Sequence, residues 1–261
     1  DRISADASGR LPLAVPDDEL GRLGIRFNAL LDRLDQAIAT QRRFLADAAH
    51  ELRTPIARAR GVGDLALSLP AGTDDRDALQ RTQRELEVMS RLVDELLELA
   101  RSDAGRSGDS LQPGFLDDVV ADVVRRFDGL AQRNGVSLSL DVPEEAPLRL
   151  DPASVARLVG IFVDNAIRYT PSGGSVRVAV RVVDGAATLV VEDSGIGIPP
   201  DERHRLFERF FRGSAARERA PDGSGLGLPI ARAVAERHGA RIEIADAEPQ
   251  GTRVTIRFPR A

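Results

Sequence analysis

The amino-acid sequence predicts an α-helical hairpin that forms a dimeric four-helix bundle, followed by an α/β sandwich domain. Over about the first hundred residues, apolar side chains recur at steps of three and four, which is the period of a buried helical seam. Over the remainder, short segments of alternating polar and apolar residues are separated by helical patterns. Such an alternation is typical of a sheet with a helix-covered or solvated face.

The composition of the chain argues against several classes of protein. The 261 residues are enough for two domains, and the net charge of −5 argues against a nucleic-acid-binding protein, because phosphate contacts need a basic surface. The chain has no cysteine and three histidines, which excludes thiolate metal sites and disfavours a histidine zinc site. No apolar run approaches the roughly 18 residues of a membrane-spanning helix. Residue 1 reads as the middle of a helix or linker, so we expect a fragment of a longer protein.

Residues 1–40 end in a coiled-coil pattern. Its apolar positions are Leu20, Leu23, Phe27, Leu30, Leu34 and Ile38. Such a helix needs a partner to cover its seam. The last two steps, from Leu30 to Leu34 and from Leu34 to Ile38, are both four residues long, which predicts a stutter that locally unwinds the coiled coil. The alternative is a short coiled coil with an irregular repeat and no such function.

Residues 41–103 predict two helices joined by a short turn. The first should end near residues 69–72, where proline and glycine break the pattern, and Thr73 or Asp74 can cap the second. The second helix carries a heptad-like series: Leu79, Thr82, Leu86, Met89, Val93, Leu96 and Ala100. Two such helices cannot bury both stripes alone, so we expect a homodimeric four-helix bundle.

A histidine and a glutamate are adjacent on the first of these helices. The apolar residues around them follow a buried period: Leu45, Ala48, Leu52 and Ile56. His50 should therefore face solvent, with Thr54 one turn beyond it. One nitrogen of a neutral imidazole can attack an electrophile while the carboxylate of Glu51 holds the proton of the other nitrogen. For such a pair taken alone, an exposed histidine without a function is the alternative.

After a polar linker over residues 101–112, helices and strands alternate in a domain of residues 110–261. The predicted helices span 116–133, 152–169 and 226–238, and the predicted strands span 137–140, 175–183, 188–192, 241–245 and 253–258. This alternation predicts one sheet in an α/β sandwich.

Three motifs of this domain suit a nucleotide. Asn165, at the end of one helix, offers a neutral oxygen ligand for Mg²⁺. Asp193 ends an apolar strand and can accept the exocyclic amine of adenine, and the glycines that follow let backbone approach the base. The run Gly223-Ser-Gly-Leu-Gly opens the last helix, whose first amides favour phosphate. Each motif alone is also a common structural turn.

The order of these motifs resembles that of sensor histidine kinases of two-component systems. The run 44–56, F-L-A-D-A-A-H-E-L-R-T-P-I, matches their H-box. Segments 164–171, 191–199, 206–213 and 223–228 resemble the N, G1, F and G2 boxes of an ATP-binding domain of the GHKL (Bergerat) type, shared with gyrase, Hsp90 and MutL. Residues 1–40 resemble the C-terminal part of a HAMP linker.

The resemblance implies Mg²⁺- and ATP-dependent autophosphorylation of His50, with Glu51 as the base, and phosphoryl transfer to an aspartate of a response-regulator receiver domain. Thr54 would orient a water for regulator dephosphorylation. Asn165 would hold the magnesium ion, and Arg212 would reach the γ-phosphate. The nucleotide-binding residues implied are Asn165, Arg168, Tyr169, Asp193, Gly195, Gly197, Arg212, Gly223, Gly225, Leu226 and Gly227. A homodimer, and attachment through an N-terminal transmembrane segment to the cytoplasmic face of the bacterial cell membrane, are also implied.

One position departs from the family pattern. The N-box usually carries a second asparagine four residues before Asn165, and here that residue is Ile161. The loss puts a secondary contact to Mg²⁺ in doubt. Two other functions stay open at this point: a non-catalytic dimeric signalling scaffold, and another GHKL ATPase that uses ATP hydrolysis to change conformation.

Overall fold

The computed structural model describes residues 19–68, 75–103, 111–220 and 223–260. The chain divides into two compact units, residues 1–54 and 55–261. The predictions for residues 1–18 and for the capping residues Thr73 and Asp74 lie outside the described residues.

Helix α1 (Glu19–Ser68) joins the predicted coiled coil and the predicted H-box helix into 50 continuous residues. It continues through Pro55, whose missing N–H leaves the carbonyl of Glu51 without the usual helical donor. Of the predicted seam around His50, Ala48 is buried, whereas Leu45 and Ile56 are exposed in the single chain. In the described part of the chain, no helix is both long and apolar enough to cross a membrane.

Helix α2 (Asp75–Asp103) has two apolar faces, of which the sequence pattern predicted one. Leu79 and Leu86, in the predicted series, are 69% and 54% exposed. Leu92 and Leu99 lie seven residues apart on another face and are only 4% and 2% exposed. This second face packs within the same unit as the α/β domain. Leu79, Leu86 and Val93 of the predicted series stay exposed and leave apolar surface for another chain.

The α/β domain contains two sheets, whereas one was predicted. Its elements are β1 (Gln112–Phe115), α3 (Leu116–Asn134), β2 (Ser137–Asp141), β3 (Pro147–Leu150), α4 (Pro152–Tyr169), β4 (Ser175–Val183), β5 (Ala186–Asp193), a 3₁₀ turn (Arg203–Arg205), α5 (Ser214–Arg219), α6 (Gly227–Arg237), β6 (Arg241–Asp246) and β7 (Thr252–Arg260). Five strands form a mixed sheet in the order β2-β4-β5-β7-β6, with β2 and β4 parallel. Strands β1 and β3 form a separate antiparallel pair that the sequence patterns did not predict.

Alternation along the strands decides which side chains face inward. Val191 on β5 pairs with Val178 on β4 and with Val254 on β7, and all three are buried. Asp193 is two residues further along β5, so its side chain lies on the same face as that of Val191. The strand therefore directs a carboxylate towards the interior at its C-terminal end.

Helix α4 starts at a complete cap. Pro152 occupies its first turn, and the Asp151 side chain accepts the backbone N–H groups of Ala153 (3.2 Å) and Ser154 (3.4 Å). Helix α4 packs on α3, on α6 and on β5, so this cap fixes a helix in the middle of the domain.

His238 connects the end of α6 to the start of α4. Its ring is buried, its Nε2 accepts the N–H of Asp151 (3.1 Å), and its Nδ1 lies 2.8 Å from the carbonyl oxygen of Val234. Acceptance at Nε2 requires the neutral ring with its proton on Nδ1. Burial lowers the pKa of His238 below the usual value, because a charged ring would lose its hydration.

Lowering the pH from about 7.5 to about 5.5 should reduce the free energy of unfolding, because the unfolded chain binds a proton at His238 more readily than the folded chain. The stabilisation is complete above the unfolded-state pKa and declines as the pH falls below it. Urea denaturation at both pH values should show a smaller decline in His238→Gln. The exposed His204 supplies the control: His204→Gln should keep the wild-type decline, and an unchanged decline in His238→Gln would contradict the assignment.

Candidate active site

A cavity of about 290 Å³ lies in the second unit, between α4, the ends of β5 and β7, the segment around α5, and the start of α6. The predicted nucleotide residues that line it are Asn165, Arg168, Tyr169, Asp193, Gly197, Arg212, Gly223, Gly225 and Gly227. Three motifs that are far apart in the sequence thus meet around one space. Gly195 and Leu226 do not line the cavity.

Gly195 and Leu226 support the cavity wall. The N–H of Gly195 donates to Asp193 Oδ1 (2.8 Å), and a Cβ at this position would lie 2.6 Å from the carbonyl oxygen of Tyr169. Leu226 is fully buried, and its N–H donates to Ser224 Oγ (3.2 Å). Both therefore position neighbouring groups, and the expectation that they also contact a nucleotide stays a prediction.

Asp193 is held by two backbone donors. Its Oδ1 accepts the N–H of Gly195 (2.8 Å) and the N–H of Thr252 (3.1 Å), so both bonds fall on one carboxylate oxygen and Oδ2 is left for a ligand. Burial raises the pKa of Asp193, and the two backbone hydrogen bonds partly offset this effect. A fixed carboxylate of this kind suits recognition of an exocyclic amine.

Helix α4 contributes both polar and apolar side chains to the wall of the cavity. Asn165 is half-buried, and Arg168 forms an ion pair with Asp164 through its Nε (2.6 Å). Tyr169 is half-buried as well, and burial raises the pKa of its hydroxyl. Ile161 lines the same cavity, as its position one turn before Asn165 predicts.

The segment before α6 bends against the F-box. The N–H of Phe210, a residue with φ of 61°, donates to the carbonyl oxygen of Gly225 (3.0 Å). A Cβ on Gly225 would lie 2.7 Å from the carbonyl carbon of Phe210, so this close approach requires glycine. The Arg205 guanidinium lies 4.3 Å from the centre of the Phe211 ring. The F-box thus fixes the glycine loop at the base of the predicted ATP lid.

The predicted lid contains helix α5, which is tied at both ends. Glu202 Oε1 accepts the N–H and the hydroxyl of Ser214, both at 3.1 Å. At the other end, Arg219 donates to the carbonyl oxygens of Arg168 and Thr170, both at 2.9 Å. The lid is therefore bound directly to the C-terminal end of α4, the helix that carries Asn165.

Arg212 is occupied within the lid. Its Nη2 donates to the carbonyl oxygens of Ala216 (3.1 Å) and Ala220. Although Arg212 lines the cavity, in this conformation its guanidinium binds lid carbonyls, so the expected contact to a γ-phosphate would require these bonds to break.

Several residues of the site were not predicted from the sequence. Gly251, with φ of 127°, lies so close to the Asp193 carbonyl oxygen that a Cβ would overlap it at 1.8 Å, and Thr252 supplies the second amide to the carboxylate. The glycine directly before the last strand was the available signal. Helix α2 also lines the cavity through Leu92 and Glu95, for which the sequence offered no local signal.

His50, Glu51 and Thr54 lie on α1. His50 and Thr54 are exposed and Glu51 is half-buried. The solvent-facing position of His50 agrees with the helical period. An exposed imidazole on a regular helix is accessible to an incoming electrophile.

The amide oxygen of Asn165, which lines the cavity, is a neutral oxygen ligand of a kind that can hold a magnesium ion. Among the residues whose placement is described, no group of three or more His, Cys, Asp or Glu side chains could hold a metal ion. Magnesium is commonly held by one or two protein oxygens together with nucleotide phosphates and water. An ion held at Asn165 would therefore take most of its oxygen ligands from a nucleotide and from water.

Two family models match the chain. Residues 40–105 match the His Kinase A (phospho-acceptor) domain, and residues 150–261 match the histidine kinase-, DNA gyrase B- and HSP90-like ATPase domain. The first match contains His50, and the second contains all the predicted nucleotide residues.

Curated relatives carry the same pair of regions. The chain is 33% identical to the sensor histidine kinase CusS of Escherichia coli K12 over 258 residues, which are 98% of this chain and 53% of CusS. It is 37% identical to the signal transduction histidine-protein kinase/phosphatase MprB of Mycobacterium avium over 244 residues, which are 90% of this chain and 45% of MprB. The chain spans about half the length of the curated relatives it matches.

Solved structures show the same fold. The histidine kinase AdeS of Acinetobacter baumannii superposes with a TM-score of 0.66 at 24% identity, over 80% of this chain and 96% of that chain. The histidine kinase ThkA, solved in complex with the response regulator protein TrrA, superposes with a TM-score of 0.68 at 18% identity, over 87% of this chain and 64% of that chain. The two matched domains and the curated relatives place the chain in the sensor histidine kinase family.

Proposed function

We propose that this protein binds ATP with Mg²⁺ in the cavity of the α/β domain and transfers the γ-phosphoryl group to His50. The observation that carries the proposal is the convergence of residues from the N, G1 and G2 boxes on one cavity, in a chain whose H-box presents an exposed histidine. Incubation with γ-labelled ATP and Mg²⁺, followed by tests for acid-labile and base-stable label, examines it directly.

The cavity sets the orientation of the nucleotide. Asp193 Oδ2 accepts the exocyclic amine of adenine, which places the base at the end of β5. The phosphates then lie towards Gly223, Gly225 and the first turn of α6, where backbone N–H groups and the helix dipole favour anions. Asn165 holds the magnesium ion, which when bound neutralises phosphate charge. Most of the rate acceleration comes from positioning and charge neutralisation.

The transfer step uses the exposed imidazole. A nitrogen lone pair of His50 attacks the γ-phosphorus, and the bond from phosphorus to the bridging oxygen breaks as ADP leaves. Glu51 holds the proton on the other ring nitrogen, so the imidazole keeps the tautomer with a free lone pair. The phosphoryl group then passes to an aspartate of a response-regulator receiver domain. Thr54, one turn from His50, orients a water molecule that removes the phosphoryl group from the regulator in a separate dephosphorylation reaction.

We also propose a homodimer, with residues 41–103 as the dimerisation and phosphotransfer domain and residues 110–261 as the catalytic ATP-binding domain. The exposed apolar series of α2 supports a second chain as the partner, since Leu79 and Leu86 would otherwise stay in water. Residues 1–40 belong to a HAMP linker that connects to a transmembrane segment, which places the protein at the cytoplasmic face of the bacterial cell membrane. The resemblance of residues 1–40 and the greater length of the relatives support this placement.

His50→Gln should abolish the phosphoprotein and leave the dissociation constant for ATP unchanged, because the nucleotide cavity is built from residues of the second unit and His50 belongs to the first. Labelling and calorimetry on the same preparation provide both measurements. His204→Gln is the matched control and should keep its label. Persistent label in His50→Gln would exclude His50 as the acceptor.

Asp193→Asn should weaken ATP binding by about 5- to 150-fold, which corresponds to the roughly 1 to 3 kcal/mol of a mismatched buried polar group. One amide oxygen can still accept both backbone N–H groups, so the NH₂ group then faces the amine of adenine. Calorimetry measures the affinity. An unchanged dissociation constant would remove Asp193 from the adenine contact.

Asn165→Ala should lower the autophosphorylation rate by about tenfold or more, because phosphate placement depends on the magnesium ion. The affinity for adenosine, which has no phosphate, should stay near the wild-type value. Asn134→Ala, an exposed change at the end of α3, is the control and should affect neither quantity. Equal losses of rate and of adenosine affinity would indicate a structural role for Asn165.

A further inference from the structure

A carboxylate of α2 enters the nucleotide cavity. Glu95 lines the cavity, and its Oε2 accepts the hydroxyl of Ser224 at 2.6 Å. Both side chains are half-buried. Ser224 lies between Gly223 and Gly225 in the loop that opens α6, which is where the proposed function places the nucleotide phosphates.

The Ser224 hydroxyl has its proton committed to Glu95. Its oxygen accepts the N–H of Leu226 (3.2 Å), and its one hydrogen is donated to the Glu95 carboxylate. A negative charge from α2 is therefore bonded to the loop at the phosphate end of the cavity. An arriving triphosphate would meet a like charge there, in a partly desolvated place where repulsion is stronger than in water.

Other contacts hold α2 in this position. Leu92 and Leu99 are buried, and Glu98 forms an ion pair with Arg157 (2.5 Å) on α4. Arg91 also lines the cavity, but its Nε donates to the carbonyl oxygen of Glu87 on its own helix (3.4 Å). Glu95 is thus the α2 residue that bonds to the glycine loop itself.

We propose that Glu95 is a specificity-determining residue of the nucleotide site, where it discriminates between ATP and adenosine. This proposal rests on the proposed function. With α2 packed on the domain, its carboxylate competes with the terminal phosphates of the nucleotide for the loop around Ser224. The competition acts on phosphate charge and not on the base, so it selects against ATP relative to adenosine. By linkage, a bound triphosphate weakens the hold of this loop on α2 to the same extent.

Glu95→Gln separates charge from shape, because glutamine has the same size and its amide oxygen can still accept the Ser224 hydroxyl. Calorimetry with the full chain should show ATP binding about tenfold tighter in Glu95→Gln, as expected for removing one like charge at short range. The affinity for adenosine should match wild type, which also reports that the cavity is folded. The gain for ATP should shrink as salt is raised, because screening weakens charge repulsion.

Asp94→Asn is the matched control. It removes one negative charge from the residue next to Glu95, but Asp94 is exposed and does not line the nucleotide cavity. Its ATP affinity should stay within about twofold of wild type, a difference that is small on the scale of binding free energies. Unchanged ATP affinity in Glu95→Gln, equal gains for ATP and adenosine, or an equal gain in Asp94→Asn would each overturn the proposal. Wild-type protein that binds neither ligand would instead refute the nucleotide site itself.

Discussion

Two backbone N–H groups hold the carboxylate of Asp193 where β5 leaves the sheet, and the geometry of the cavity depends on these bonds. One donor lies two residues along the chain at Gly195, and the other begins the last strand at Thr252. The carboxylate is therefore fixed by the sheet itself and not by another side chain. Because Gly251 has no Cβ, its backbone can lie directly against Asp193. The N–H of the next residue, Thr252, is then close enough to reach the carboxylate.

Helix α4 is the second fixed element, and its two ends are held by different parts of the chain. Asp151 caps its start and is joined by its N–H to the buried His238, while Arg219 binds carbonyl oxygens at its C-terminal end. The helix that presents Asn165 therefore connects the end of α6 to the lid. A change in either attachment reaches the cavity wall through one rigid element, since a packed helix moves as a unit.

Local patterns predicted much of this architecture. The bounds of α4 and β4 agree with the period of their sequences, and the residues of the three nucleotide motifs meet at one cavity because strand and helix ends lie at one edge of the domain. Non-local contacts were not predictable in the same way. Strands β1 and β3 have only four residues each and both contain proline, so only their pairing makes them strands. Likewise Leu99 and Glu95 belong to a second face of α2 whose partner is distant in sequence.

The position of Tyr169 has an optical consequence. The chain contains one tyrosine and no tryptophan, and that tyrosine lines the nucleotide cavity. Its tyrosine emission therefore originates at a single place, beside the lid attachment on α4, and no tryptophan or second tyrosine contributes to the signal. The unmodified protein thus contains an intrinsic fluorophore that reports on the occupancy of its own cavity, without an attached dye.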